Sequence, residues 1–60
     1  MTFTDAMTQV SRFTTLANAQ SFRNRTAGGH AIVMGDHPQY WVATNRAASV
    51  LARNGYEIIG

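Results

Sequence analysis

The apolar positions of this chain change their period along its length, and each change marks an element. Tyr40-Trp41-Val42-Ala43-Thr44 is aromatic and β-branched, which suits a strand. Thr44 or Asn45 then caps a helix by accepting a backbone N–H. Ala47, Ala48, Val50 and Leu51 follow at spacings of three and four, the stripe of a helix with one buried side. Arg53 in the last turn suits the helix dipole. Asn54-Gly55 ends the helix, with Gly55 in the left-handed conformation and Tyr56 folded back on Leu51 in a Schellman stop. Tyr56-Glu57-Ile58-Ile59 reads as a closing strand.

The first half reads in the same order. Arg12-Phe13-Thr14 is a short strand, and Thr15 caps a helix with Leu16, Ala19, Phe22 and Thr26 on one side. Gly28-Gly29 stops that helix. His30-Ala31-Ile32-Val33-Met34 is a strand, and Gly35-Asp36-His37-Pro38-Gln39 is a turn that makes a hairpin with Tyr40–Thr44. Setting Thr15 on Thr44 lays Phe13 on Val42, Ala19 on Ala48 and Phe22 on Leu51. That match is either a duplication or two units obeying the same capping rules.

The expected fold is therefore α+β: one domain, residues 1–60, of order βαββαβ. This is a small split-βαβ, ferredoxin-like arrangement with an antiparallel sheet and both helices on one face. The first dozen residues leave an alternative open. Asp5–Val10 also reads as helix capped by Thr4 or Asp5, running on toward Phe22, and the order is then αββαβ.

Alternation along the strands sorts their side chains. Phe13, Ile32, Met34, Tyr40, Val42, Tyr56 and Ile58 would face the helices. Arg12, Ala31, Val33, Trp41, Ala43, Glu57 and Ile59 would face away. With both helices on one side, Trp41, Val33 and Ile59 would form an exposed apolar patch beside Arg12 and Glu57, a composition typical of contact surfaces. A slip of one residue would exchange the two sets and make Trp41 the main core residue.

Composition narrows the function classes. Sixty residues allow one small core. With no cysteine, neither disulfides nor thiolate–metal sites can staple it. Such domains often lean on a partner or on a second copy of themselves, so a homodimer is among the expectations. The hydrophobic fraction of 45% against 13% charged residues argues for a folded chain. No apolar run approaches the roughly 18 residues of a membrane span. Met1–Asp5 lacks the features of a secretory signal, and the absence of cysteine fits a cytoplasmic location.

Candidate chemistry is sparse. His30, Asp36 and His37 are the only acid–base or metal candidates, and the histidines fall at opposite ends of one strand, too far apart to share an ion. Ser11, Ser21 and Ser49 lie in strand or helix contexts with no elbow around them. Gly28-Gly29 follows a helix where a phosphate loop would precede one. These readings point away from an enzyme and imply no cofactor.

All five basic residues are arginines: Arg12, Arg23, Arg25, Arg46 and Arg53, giving a net charge of +2. The two helices would carry Arg23 with Arg25 and Arg46 with Arg53. An open sheet with an aromatic and flanking arginines makes a small nucleic-acid-binding or regulatory module the rival reading. Against it, the charges are spread out and only one aromatic stands on that face.

The stretch Asp36–Ile59 resembles small bacteriophage and plasmid proteins. It does so through Tyr40-Trp41-Val42-Ala43-Thr44, Arg46-Ala47-Ala48 and Asn54-Gly55-Tyr56-Glu57. Small proteins of that origin include anti-CRISPR inhibitors, which bind a host surveillance complex. The resemblance implies a non-enzymatic protein-binding inhibitor in a bacterial cytoplasm, with a host protein or ribonucleoprotein complex as partner. The binding residues expected on this reading are Trp41, Val33 and Ile59, with Arg12, Arg23, Arg25, Arg46 and Arg53 around them. The basic charge speaks against DNA mimicry.

Overall fold

Three threonines start the three helices. A computed structural model describes all residues, Met1–Gly60. Helix α1 (Phe3–Thr8) opens on a capping box. The Thr2 hydroxyl accepts from the Asp5 N–H at 3.1 Å, and the Asp5 carboxylate accepts from the Thr2 N–H at 3.5 Å. Strand β1 (Ser11–Phe13) follows, then helix α2 (Leu16–Arg25), capped by Thr15 through the Asn18 N–H at 3.2 Å. Strands β2 (His30–Met34) and β3 (Tyr40–Thr44) form the hairpin. Thr44 caps helix α3 (Asn45–Arg53) through the Ala47 N–H at 3.1 Å, and β4 (Glu57–Ile58) closes the fold.

The helix stop of α3 has the expected form. Gly55 has φ +99°, its N–H donates to the Ala52 carbonyl, and the Tyr56 N–H donates to the Leu51 carbonyl. Helix α2 ends differently. Thr26 leaves the helix in an extended conformation, and its hydroxyl donates to the Phe22 carbonyl at 2.7 Å, two residues before Gly28.

The short strand near Phe13 is present, one residue earlier than expected, and the alternative of one helix running through the first dozen residues is corrected. Those residues hold a helix and a strand in succession. The helix is capped by Thr2, with Asp5 as the second half of the box. It does not run on to Phe22.

The α+β class and the antiparallel sheet are as expected, and β1-α2-β2-β3-α3-β4 keeps the expected order behind α1. The placement of the helices is not as expected. The strands lie in the order β1-β3-β2-β4, each antiparallel to its neighbours. The crossover from β1 to β2 passes β3, and the crossover from β3 to β4 passes β2. Both step the same way along the sheet, but β1 and β3 run in opposite directions. Crossovers of one hand that step the same way from antiparallel strands must pass over opposite faces.

The packing shows that result. On one face α1 and α3 cover Ala31, Val33, Trp41 and Ala43, with Ala6, Ala47, Ala48, Val50 and Leu51 in the same cluster. On the other face α2 brings Ala19 onto Ile32 and Val42, flanked by Phe13, Phe22 and Tyr40. The molecule is a three-layer α/β/α stack, and no sheet face is open. Had the second crossover returned across β1, both helices would have shared one face. No helix is long and apolar enough to cross a membrane.

Candidate functional site

One cross-strand row decides where a surface remains. Register places Arg12 opposite Trp41, Trp41 opposite Val33, and Val33 opposite Ile58. The alternation within β1, β3 and β2 is as expected, since Arg12, Ala31, Val33, Trp41 and Ala43 share a face. In β4 the expectation is off by one. Ile58 and Tyr56 lie on the Trp41 side, and Glu57, opposite Met34, lies on the α2 side.

Trp41 and Val33 are therefore not a docking patch. α3 covers them, leaving Trp41 1% exposed and Val33 fully enclosed. The Trp41 seat is specific. Its indole N–H donates to the Gln39 Oε1 at 2.9 Å, so the ring's one polar group is satisfied. Gly35 leaves the ring its space, because a Cβ there would collide with the indole. Tyr56 lies against it with centroids 5.1 Å apart, tilted by 38°. The Arg12 guanidinium sits 5.3 Å from the ring centroid at the β1 edge, a cation–π lid of about 0.5–1 kcal/mol for an exposed cation.

The aromatic contact continues outward. Phe3 of α1 stacks on Tyr56 at 6.1 Å and 18°. The three rings form a column from the core at Trp41, through half-buried Tyr56, to Phe3, which is 37% exposed. Ile58, two residues after Tyr56 and on the same side of β4, is 45% exposed, and Ile59 is 38% exposed. Of the expected apolar binding residues, only Ile59 is at the surface. The structure adds Phe3, Tyr56 and Ile58. Phe3 was detectable: it precedes Ala6, Met7 and Val10 at helical spacing, and those three are buried or half-buried.

The Tyr56 hydroxyl donates to Asp36 Oδ1 at 3.4 Å, tying the end of α3 to the hairpin turn. Its phenol is held above the ordinary value of 10.0, first by loss of solvent, then by the negative charge of Asp36 and the hydrogen bond to it.

The arginines do not converge. Arg12 lies over Trp41. Arg23 donates to the Gly60 carbonyl at 2.7 Å, and Arg25 donates to the Ser21 carbonyl at 3.3 Å. Both are on α2, so the sheet separates them from exposed Arg46 and Arg53 on α3. His30 has Nδ1 3.4 Å from the Gly28 carbonyl, at the far end of β2 from the turn carrying His37. No three histidine, aspartate or glutamate side chains come together, and the surface has no pocket.

Comparison of the chain with protein-family models, with curated proteins and with solved structures finds no match to any of them.

Proposed function

We propose that the chain is a non-enzymatic protein-binding module whose contact surface is the apolar end formed by Phe3, Tyr56 and Ile58. The observation that carries this reading is the aromatic column. Phe3 is exposed yet stacked on Tyr56, which rests on the buried Trp41. An aromatic side chain already held in place loses little freedom on binding, and rigid aromatic anchors dominate interface energetics. The resemblance to small phage proteins supports a more specific role as an inhibitor of a host complex in the bacterial cytoplasm, with a CRISPR–Cas surveillance complex as its target.

The test uses this 60-residue chain immobilised against host lysate, beside Phe3→Ser. The expected result is a protein retained by the wild type and lost in the variant, with both still folded by circular dichroism at the temperature of the assay. Equal retention by the two would overturn the reading. Retention of nucleic acid alone, lost in moderate salt or on changing Arg23 and Arg25 to Gln, would put the nucleic-acid module in its place. For the inhibitor role, expression in cells whose CRISPR–Cas complex targets an infecting phage should raise plaque counts. Unchanged counts would remove that role.

A further inference from the structure

The sheet has two edges, and they are built differently. β1 carries Arg12 at its centre, with Ser11 on one side. A cation on a short edge strand discourages pairing with another strand. β4 carries Ile58 instead, with Ile59 directly after it, both exposed. Its backbone is also available. The Ile59 N–H donates to the Ile32 carbonyl at 2.9 Å, so residue 59 is in a hydrogen-bonded position against β2. In an antiparallel ladder these positions alternate, so Glu57 points its N–H and C=O inward and Ile58 points both outward.

We propose that the β4 edge pairs with the β4 edge of a second copy of this chain, antiparallel about a two-fold axis through Ile58, joining the two sheets into one of eight strands. This deepens the binding reading above, because it uses the same end of the molecule. Charge selects the second copy as occupant. Glu57 lies on the α2 side of β4, and Arg23 of α2 lies over Gly60 at the other end of the same short edge. A two-fold axis through Ile58 sets residue 57 of one copy opposite residue 59 of the other, next to Gly60 and its Arg23. Each Glu57 thus meets the Arg23 of the other copy, twice by symmetry. One guanidinium N–H serves Gly60, and the remaining donors are free for the carboxylate.

On the opposite side of the sheet the same axis brings the two Ile58 side chains together. The two Phe3–Tyr56 stacks then flank them on a single apolar face. A short chain with a small core gains stability by such pairing.

The experiment is sedimentation equilibrium of the full chain, whose single-copy mass is 6.6 kDa. The expected result is a concentration-dependent species of twice that mass. Ile58→Lys should leave the chain folded and monomeric. Glu57→Arg and Arg23→Glu should each weaken the pairing roughly tenfold, from two exposed ion pairs lost together. The double variant Glu57→Arg/Arg23→Glu should recover it. A wild type that stays at 6.6 kDa at all concentrations overturns the proposal. So does a dimer indifferent to Ile58→Lys and to the charge reversals. A monomer that still captures a protein through Phe3 removes the pairing and spares the binding reading. A dimer with no Phe3-dependent capture does the reverse.

Discussion

The two faces of this sheet are covered on different terms. On the α3 side nine buried residues form one cluster, and five of them are alanines: Ala6, Ala31, Ala43, Ala47 and Ala48. Alanines on both helix and sheet let the backbones approach closely, and the space that remains is filled by one large ring, Trp41. On the α2 side only Ala19, Ile32 and Val42 are buried. The larger rings there, Phe13, Phe22 and Tyr40, are half-exposed, with Phe13 and Phe22 5.2 Å apart. Burial stabilises in proportion to apolar area removed from water, so the α3 side should carry most of the fold. The contrast also explains the surface. Phe3, the one aromatic ring in the exposed class, stands at the outer end of the column built out from Trp41.

The largest expected effect follows from that contrast. Trp41→Ala should cost about 3–5 kcal/mol, since it empties the one large seat and orphans the Gln39 contact. That is a large share of what a 60-residue domain has to spare, so denaturant titration should find the variant largely unfolded. Gly35→Ala should act through the same ring, forcing the indole to move, with a loss of about 1–3 kcal/mol by the same titration. Phe22→Ala tests the lighter side. Its ring is half-exposed, so about 1–2 kcal/mol is expected. A loss from Phe22→Ala equal to that from Trp41→Ala would make the two faces equivalent.

The smallest effect is a pH effect. The Tyr56 phenol has a folded-state pKa above its unfolded value of 10.0, so the protonated form favours the folded state. Its contribution is complete below pH 10.0 and is lost as pH rises from there through the folded-state value. Thermal unfolding of the wild type should weaken over that alkaline window. Tyr56→Phe should flatten the dependence, and Asp36→Asn should reduce it.

The second unit, from Tyr40 through α3 to its stop at Gly55, was legible because its signals are local. A capping threonine, a helical stripe and a glycine with positive φ each act within a few residues. The α1 segment was less legible because its cap, Thr2, lies ahead of the residues that looked like caps, and its partner in the box, Asp5, passes for a cap itself. The covering of both faces was not legible. It depends on β4 choosing β2 over β1 as neighbour, a choice made between residues more than twenty apart in sequence, such as Val33 and Ile58. The β4 phase was lost for a related reason. Alternation says that Tyr56 and Ile58 share a side, but only pairing with β2 says which. The site moved accordingly: Trp41 kept its importance and changed its role, from exposed contact to the root of the column that holds Phe3 outward.

α2 and α3 cover opposite faces of the sheet, which removes Trp41 from the surface. Nuclear Overhauser contacts of the helix side chains test it most directly. The Phe22 ring is expected to reach Ile32 and Val42 while the Leu51 methyls reach the side holding Val33 and Trp41, with no overlap between the two sets. Contacts from Phe22 and Leu51 to the same sheet side chains would contradict it, and would put both helices on one face with Trp41 exposed on the other.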